Sequence, residues 1–459
     1  MLKIATYCSL LLLLGGSSCS KSAEDLTPPA DTTTANTCPS LENYAEEISD
    51  SALLDKVQQQ TVKYFWDFAE PTSGMARERN TSGNIVTTGG TGFGIMAIIA
   101  GVHRGFIDRD AAIDRMIKLF NFLNKADRYH GAWSHWMDGT TGKTIPFGTK
   151  DNGGDLIETA FMVQGIIAAR EFFDASTVKE DSLRALADTL WYGVEWDWYT
   201  NGQNVLIWHW SPDYNFDINM HISGWNEGLI AYVLAASSPT HPISKEVYDN
   251  GWANNGSIKN GRLFFGHLLP LGQDFGGPLF FAHYSFLGLD PRELSDQYAN
   301  YWDQNVAQSQ INHDYAVYNP YKYCYYNDSC WGLTASDDPE VGYQAHAPYR
   351  IGGGENGTIT PTAALSSFPY TPVESMKALR FFYHRLHSKV WGNYGFYDAF
   401  NISKSWYATS TLAIDQGPIV VMIENYRSGL LWNTFMKNQD VQNGITKLGF
   451  TYNKRSLTK

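Results

Sequence analysis

Apolar and polar positions are spaced in two different ways along this chain, and the two take turns. Ser51 to Phe68 carries Leu53, Leu54, Val57, Val62, Phe65 and Trp66 near helical spacing, which predicts a helix with one buried face. Thr91 to Val102 is apolar nearly all round, the pattern of a helix buried on every side. Asp110 to Lys125 is one-faced again, through Ile113, Met116, Ile117, Phe120 and Leu123. The exchange repeats: Leu156 to Phe173 is apolar, Asp181 to Trp198 amphipathic, Ser223 to Ala236 apolar and Ser244 to Trp252 weakly helical. Leu279 to Leu287 follows a glycine-rich turn, Pro291 to Asp314 is polar and amphipathic, and Thr371 to Leu386, Thr411 to Tyr426 and Ser428 to Phe435 complete the series.

Helices that alternate between buried and half-exposed predict an all-α fold of the α/α toroid type. An inner ring and an outer ring would send long aromatic-rich loops to one end, and short strands such as Val205 to Trp208 would decorate those loops. No glycine-rich phosphate loop, strand–helix alternation or short fixed repeat interrupts the pattern, so residues 51–459 read as one domain.

One stretch stands at the mouth of a buried helix: Lys150-Asp151-Asn152-Gly153-Gly154-Asp155-Leu156-Ile157-Glu158-Thr159. A helix start offers unpaired N–H groups and partial positive charge, which hold carboxylates in place. Asp155 and Glu158 are spaced as a capping box. Asp151 lies four residues earlier in a glycine-flanked loop, where no cap is required.

Composition narrows the chemistry. Aromatic residues make up 14% of the chain, and many neighbour Gly, Asn, Asp or His, as in His135-Trp136 and Trp208-His209-Trp210. Such mixed clusters serve as core mass, and they also suit sugar rings, which stack a C–H face on an indole and hydrogen-bond at their rim. A net charge of −13 argues against nucleic acid or an anionic membrane as partner, and is compatible with a neutral glycan.

Residues 1–19 read as an export signal, with Lys3 ahead of a short apolar core and small residues before Cys19. The run is too short to span a bilayer. The small residues resemble a bacterial lipoprotein cleavage box, although Gly16 stands where Leu is usual, so lipidation of Cys19 and ordinary secretory cleavage are both open. Residues 20–50 read as a disordered tether. Of five cysteines, Cys324 and Cys330 bracket a short loop and could pair in an oxidising envelope, which leaves the pairing open, with Cys38 left over in the tether. No spacing suggests a zinc site.

Hydrolysis of a glycosidic bond by inversion needs an acid for the leaving oxygen and a base for water on the opposite face. Asp151 and Asp155 form one carboxylate cluster. Glu227, in Gly224-Trp225-Asn226-Glu227, supplies another, and the aromatic neighbour favours a raised pKa. Stabilisation by a helix dipole is the competing reading of Glu227. Trp133, His135, Trp136, Trp225, Asn226, His283, Tyr397, Asp398 and Gln416 lie on further stretches of groove character and are the candidate substrate-binding residues.

The runs Gly-Gly-Asp155-Leu-Ile-Glu158-Thr, Gly-Trp225-Asn226-Glu227 and Pro278-Leu-Phe-Phe-Ala-His283-Tyr-Ser resemble the glucoamylase-like domain. So do Gly-Phe-Tyr397-Asp398-Ala-Phe-Asn401 and Ile414-Asp415-Gln416-Gly-Pro, continued through Met-Ile-Glu424-Asn-Tyr-Arg427-Ser-Gly-Leu-Leu-Trp432. The likeness covers about Leu53 to Phe435, and within it the chain is similar to glycoside hydrolase family 144, the bacterial endo-β-1,2-glucanases. That resemblance implies an (α/α)6 barrel and inverting hydrolysis of β-1,2-glucan to sophorooligosaccharides, with no metal or organic cofactor. It implies Glu227 as general acid and Asp151 or Asp155 as base, directly or through water. A chain-end sophorose-releasing enzyme and a non-catalytic glycan-binding envelope lipoprotein are the alternatives. A monomer in the periplasm or at the outer membrane is expected, attached to the membrane at most through Cys19.

Overall fold

The computed structural model describes residues 38–349 and 354–452. The predicted export signal, Cys8, Cys19 and the tether up to residue 37 lie outside the described residues. Helices dominate, and strands are short. The helices that matter for the site are α1 (Asp50–Trp66), α2 (Thr88–His103), α3 (Arg109–Leu123), α4 (Leu156–Phe172), α5 (Val178–Tyr192), α6 (Leu229–Ser237), α7 (Tyr301–Tyr318), α8 (Pro372–Arg385) and α9 (Ala413–Ser428).

Their burial follows the sequence pattern. Every residue of α2 from Thr88 to Gly101 is buried, as is every residue of α4 from Leu156 to Ala169, whereas α1, α3 and α5 bury one face each. Side-chain caps start the one-faced helices: Ser49 accepts from Ala52, Asp108 from Ala111 and Thr177 from Glu180. The buried helices neighbour one another, α4 lying between α2 and α6, and α9 against α2, with a short helix at Pro361–Leu365 against α9. Outside them, α1 packs on α2 and α9, and α3 on α5.

The α2–α4 crossing is unusually close because glycine faces backbone on both helices. A Cβ on Gly92 would fall 2.1 Å from the carbonyl oxygen of Phe161, and one on Gly165 would fall 2.3 Å from that of Gly92. The glycines in these apolar helices, costly to helix propensity, allow the two helix mouths to meet.

Several boundaries differ from expectation. The stretch Ser223–Gly228 is a turn, and α6 begins only at Leu229, so Glu227 precedes the helix rather than occupying its first turn. Residues 291–300 are not helical: Leu294–Ser295 pairs with Thr451–Tyr452, and α7 starts at Tyr301 with Asn300 accepting from the Asp303 amide. The strand near Trp208 is His209–Trp210, placed later than the apolar run suggests. Helix α5 ends at Tyr192, and a separate 3₁₀ turn follows at Trp198–Thr200.

A Cys324–Cys330 disulfide is not formed. Cys324 pairs with Cys38 across 286 residues, and Cys330 is a buried thiol. Residues 38–49 are correspondingly not a free tether: Tyr44 stacks on His387 at 3.8 Å, its amide donates to the His384 carbonyl, and Glu46 pairs with Lys56 at 2.6 Å. Local spacing favoured the wrong partner because the true one is distant in sequence and adjacent only in the fold.

Candidate active site

The polar centre is built on a two-residue ribbon. Strands Gly154–Asp155 and His209–Trp210 pair antiparallel, opposing Gly154 to Trp210 and Asp155 to His209. Gly153 and Gly154 are required by crowding: an added Cβ would lie 2.3 Å from the Trp210 carbonyl at the first and 2.0 Å from the Tyr199 hydroxyl at the second. His135 reaches the same point from another loop, its carbonyl accepting from the Thr88 amide at the start of α2.

Asp155 does two things at once. Its Oδ1 accepts the Glu158 amide at 3.0 Å and so caps α4, while Oδ2 faces His135 Nδ1 at 2.9 Å. The capping box is only half made, because Glu158 does not return to the cap. Its Oε2 instead accepts the Gly89 amide at 2.6 Å and the Thr87 hydroxyl at 3.3 Å, joining the mouths of α2 and α4. His209 Nε2 stands 3.3 Å from Asp151 Oδ2 and 3.8 Å from Asp155 Oδ2. Asp151 and His135 are half-buried and reach solvent, whereas Asp155 is fully enclosed.

Charge is distributed unequally among these acids. Burial alone would raise Asp155, but the His135 hydrogen bond and the nearby imidazoles hold it below the ordinary carboxylate range. Burial pulls His135 down, yet the charges of Glu158, Asp155 and Asp151 and the Asp155 hydrogen bond outweigh it and bring the ring to about 9. Asp151 moves up, mainly by burial and partly by the charge of Asp155. The result is a carboxylate–imidazolium pair beside a more basic, water-accessible carboxylate.

Glu227 is half-buried ahead of α6, within electrostatic reach of this cluster. Burial lifts its carboxyl to about 7, and the charges of Asp155 and Glu158 add to the rise. Its backbone is pinned by Ser285, whose hydroxyl donates to the Glu227 carbonyl while accepting the Ile230 amide at 3.0 Å. Asn226 shapes the turn: its Oδ1 accepts the Gly228 amide at 2.8 Å and its Nδ2 donates to the Ser223 carbonyl at 3.3 Å.

The candidate binding residues divide by exposure. Trp136 is half-exposed and edges onto His135 and Phe147, so with His135 it offers surface beside the acids. Tyr397 is also half-exposed, packed against Gly392. Trp133, Trp225 and His283 are corrected to core residues. Trp133 is wholly buried with its indole donating to the Leu123 carbonyl at 3.1 Å, and Trp225 donates to Gln308 Oε1 at 2.7 Å. His283 is 1% exposed, bonded to the Ser367 hydroxyl, and burial lowers it to about 3, which keeps it neutral. Gln416 is likewise enclosed and donates to the Phe396 carbonyl at 2.8 Å.

Asp398 belongs to a second acidic cluster that sequence reading only half anticipated. Its Oδ2 accepts the Asp337 amide at 2.6 Å, and Arg79 Nη1 meets Asp337 Oδ1 at 3.2 Å while its Nε meets Glu78. Asp415, at the start of α9, is enclosed, and its carboxyl shares a side-chain hydrogen bond with Asp398, Asp415 holding the proton. Burial and the charge of Asp337 push Asp398 to about 7, and burial with the charge of Asp398 raises Asp415 further. Tyr284 connects the two clusters electrically: burial raises its phenol first, then the charges of Asp415 and Glu227 add to it. Asp337 and Arg79 carried no local signal in the sequence, since both sit in polar stretches of ordinary composition, Asp337 on the short strand Ala335–Asp338.

The ligating atoms of His135, Asp151 and Asp155 lie within 4.8 Å of one another, near enough to suit a metal. In this structure His135 Nδ1 is engaged with Asp155 Oδ2 at 2.9 Å.

Comparison with known proteins bears on what such a site does. Residues 219–439 match the family described as "Putative glucoamylase". An endo-β-1,2-glucanase from Chitinophaga pinensis, solved with sophorotriose and glucose, is 50% identical, with coverage of 88% of this chain and 99% of that one and a TM-score of 0.86. A Bacteroides uniformis structure bearing the same family description is 52% identical, with coverage of 89% and 99% and a TM-score of 0.86. An exo β-1,2-glucooligosaccharide sophorohydrolase acting at the non-reducing end, from Parabacteroides distasonis, is 47% identical over 422 residues. That alignment takes in 87% of this chain but only 58% of the relative, so the chain spans little more than half that protein's length. Half identical to solved proteins along nearly their whole length, and matching the family pattern between 219 and 439, the chain belongs to the glucoamylase-like family.

Proposed function

We propose that this protein is an inverting glycoside hydrolase that cuts linear β-1,2-glucan within the chain to sophorooligosaccharides. The observation that carries the proposal is Glu227, a half-buried carboxyl raised to about 7 and within reach of the charge of Asp155, a carboxylate held below the ordinary range. A carboxyl near 7 keeps its proton in neutral water and can still give it to a leaving oxygen. Glu227 therefore acts as general acid. Asp151, exposed to water and made more basic by its surroundings, activates the attacking water, directly or through a second water. Asp155 acts by capping α4 and by holding His135 in place beside the other acids. Trp136 supplies an apolar face for a sugar beside these groups. No metal or organic cofactor enters this mechanism.

The helix order supports an (α/α)6 barrel as the finer description of the fold, with α2, α4, α6, the short helices near 280–286 and 361–365, and α9 as its inner ring. The Cys38–Cys324 bond suits an oxidising compartment and supports export to the bacterial envelope.

Incubation of the purified protein with linear β-1,2-glucan, followed by chromatography over time, tests the activity. An early ladder of sophorooligosaccharides is expected, in keeping with the endo-acting relative matched over 99% of its length. Sophorose alone from the first time point would establish chain-end action, as in the Parabacteroides relative. Retention of the polymer without any product would leave a binding protein.

A further inference from the structure

Of the fifteen tryptophans in the chain, Trp198 alone is exposed, at 42%. It is also held rigid. His130 stacks on the indole at 3.8 Å with planes 15° apart, and His130 is in turn fixed by Glu195 Oε2 at 2.9 Å. His130 adopts a φ of 49°, a backbone state that a side-chain-bearing residue keeps only where its surroundings impose it. Asp197 fixes the other end, accepting the Trp198 amide at 3.0 Å and meeting His241 Nδ1 at 3.1 Å. Trp198, Phe216, Glu195, Asp197, Asn201 and His241 line an open cavity of about 430 Å³, which falls in the size range of small-molecule sites.

We infer that this cavity is a second carbohydrate-binding site, separate from the hydrolytic centre, that holds a segment of neutral glucan. Its chemistry fits a hexose. One immobilised aromatic face is ready to stack, carboxylate oxygens stand beside it to accept from sugar hydroxyls, and an amide side chain can donate or accept. The acidic rim disfavours sulfated or uronic chains, and the polar rim does not suit a purely apolar partner. The cavity is joined to the catalytic ribbon without sharing its residues: Trp210, paired with Gly154, meets the His130 ring edge-on at 5.1 Å, while its neighbour His209 faces Asp151. A polymer held here is kept beside the acids between cuts. The identity of the preferred glucan rests on the proposed function above; the presence of a hexose site does not.

The test uses the full protein carrying Glu227→Gln, so that no ligand is consumed, on affinity gels containing linear β-1,2-, β-1,3-, β-1,4- or α-1,4-glucan. Adding Trp198→Ala is expected to weaken retention by roughly fivefold on at least one of them, the worth of one stacking contact. Trp198→Phe should restore part of it, and Phe216→Ala should weaken it independently. Thermal midpoints are compared alongside to show that each variant folds. Equal retention of parent and variants on all four gels overturns the site. A change in sedimentation with retention unaltered also overturns it, and assigns the surface to contact between copies of this chain. Absence of β-1,2-glucan cleavage by the unmodified protein would sink the proposed function instead, and the gel panel would still judge the site.

Discussion

The two buried acidic clusters contain the same residue types and differ in what neutralises them. Asp151, Asp155 and Glu158 are met by two imidazoles, and Asp155 stays ionised below the ordinary range. Asp337, beside Asp398 and Asp415, is met by Arg79, which Glu78 also engages, and there burial raises Asp398 to about 7 and Asp415 well above the ordinary carboxylate range. Burial raises Asp151 and Glu158 as it does Asp398 and Asp415, and Asp155 alone among these is held down. The number and placement of cationic partners decides which buried acid keeps its proton. Glu227 sits between these cases, without a cation of its own but within water's reach, and that is the condition for an acid that must both hold and release a proton.

The sharpest way to break this comparison is Glu227→Gln. An amide cannot supply the proton, so kcat on β-1,2-glucan should fall by about 10³-fold with the polymer still retained on a gel. A loss below tenfold would place the acid elsewhere. Next in size is Asp155→Asn, which keeps a capping oxygen but strands the charge on His135. Denaturant unfolding at pH 6 should report a loss of about 3 kcal/mol, as for a broken buried ion pair. The His135 pKa, followed by NMR, should also move down from about 9.

A third measurement is the thermal midpoint against pH. Glu227 and Asp398 have folded-state pKa values near 7, above those of an unfolded chain, so their contribution is complete below about pH 4 and is lost as pH rises towards 7. His135 has the same sign, and its contribution is lost between its ordinary value and about 9. Asp155 has the opposite sign and loses its contribution only in acid. The midpoint should therefore decline from pH 5 to pH 9, and a rise across that range would contradict the assignment. The smallest effect is expected from Asp415→Asn. A carboxyl raised well above the ordinary range, already the donor to Asp398, loses little by becoming an amide, so stability at pH 6 should change by less than about 1 kcal/mol. A loss as large as that of Asp155→Asn would erase the distinction between the clusters.

What was legible in the sequence was whatever a short window encodes. The alternation of fully apolar and one-faced segments gave α2 and α4 as buried helices and α1, α3 and α5 as half-exposed ones, because burial on one side or all sides is written in the spacing. Asp155 as a cap and Glu227 as a raised acid were legible for the same reason: helix mouth and aromatic neighbour lie within a few residues. The binding residues were not separable. Trp136 and Trp133 stand three apart in one loop, yet one is half-exposed and the other wholly enclosed under Arg128. Likewise, Arg79 joins Asp337 across 258 residues, a contact visible only after folding.

The Cys38–Cys324 bond changes how force and proteolysis act on the chain. Residues 39–49 run between the disulfide and α1, and Tyr325, next to Cys324, donates its hydroxyl to the Pro39 carbonyl at 2.8 Å. A pull from the residues that precede Cys38 thus passes directly to the loop after α7 and bypasses α1. Residues 39–49 become slack in the load path. A protease cut within them would leave everything upstream covalently fastened to the domain, and only reduction of the disulfide would then set it free.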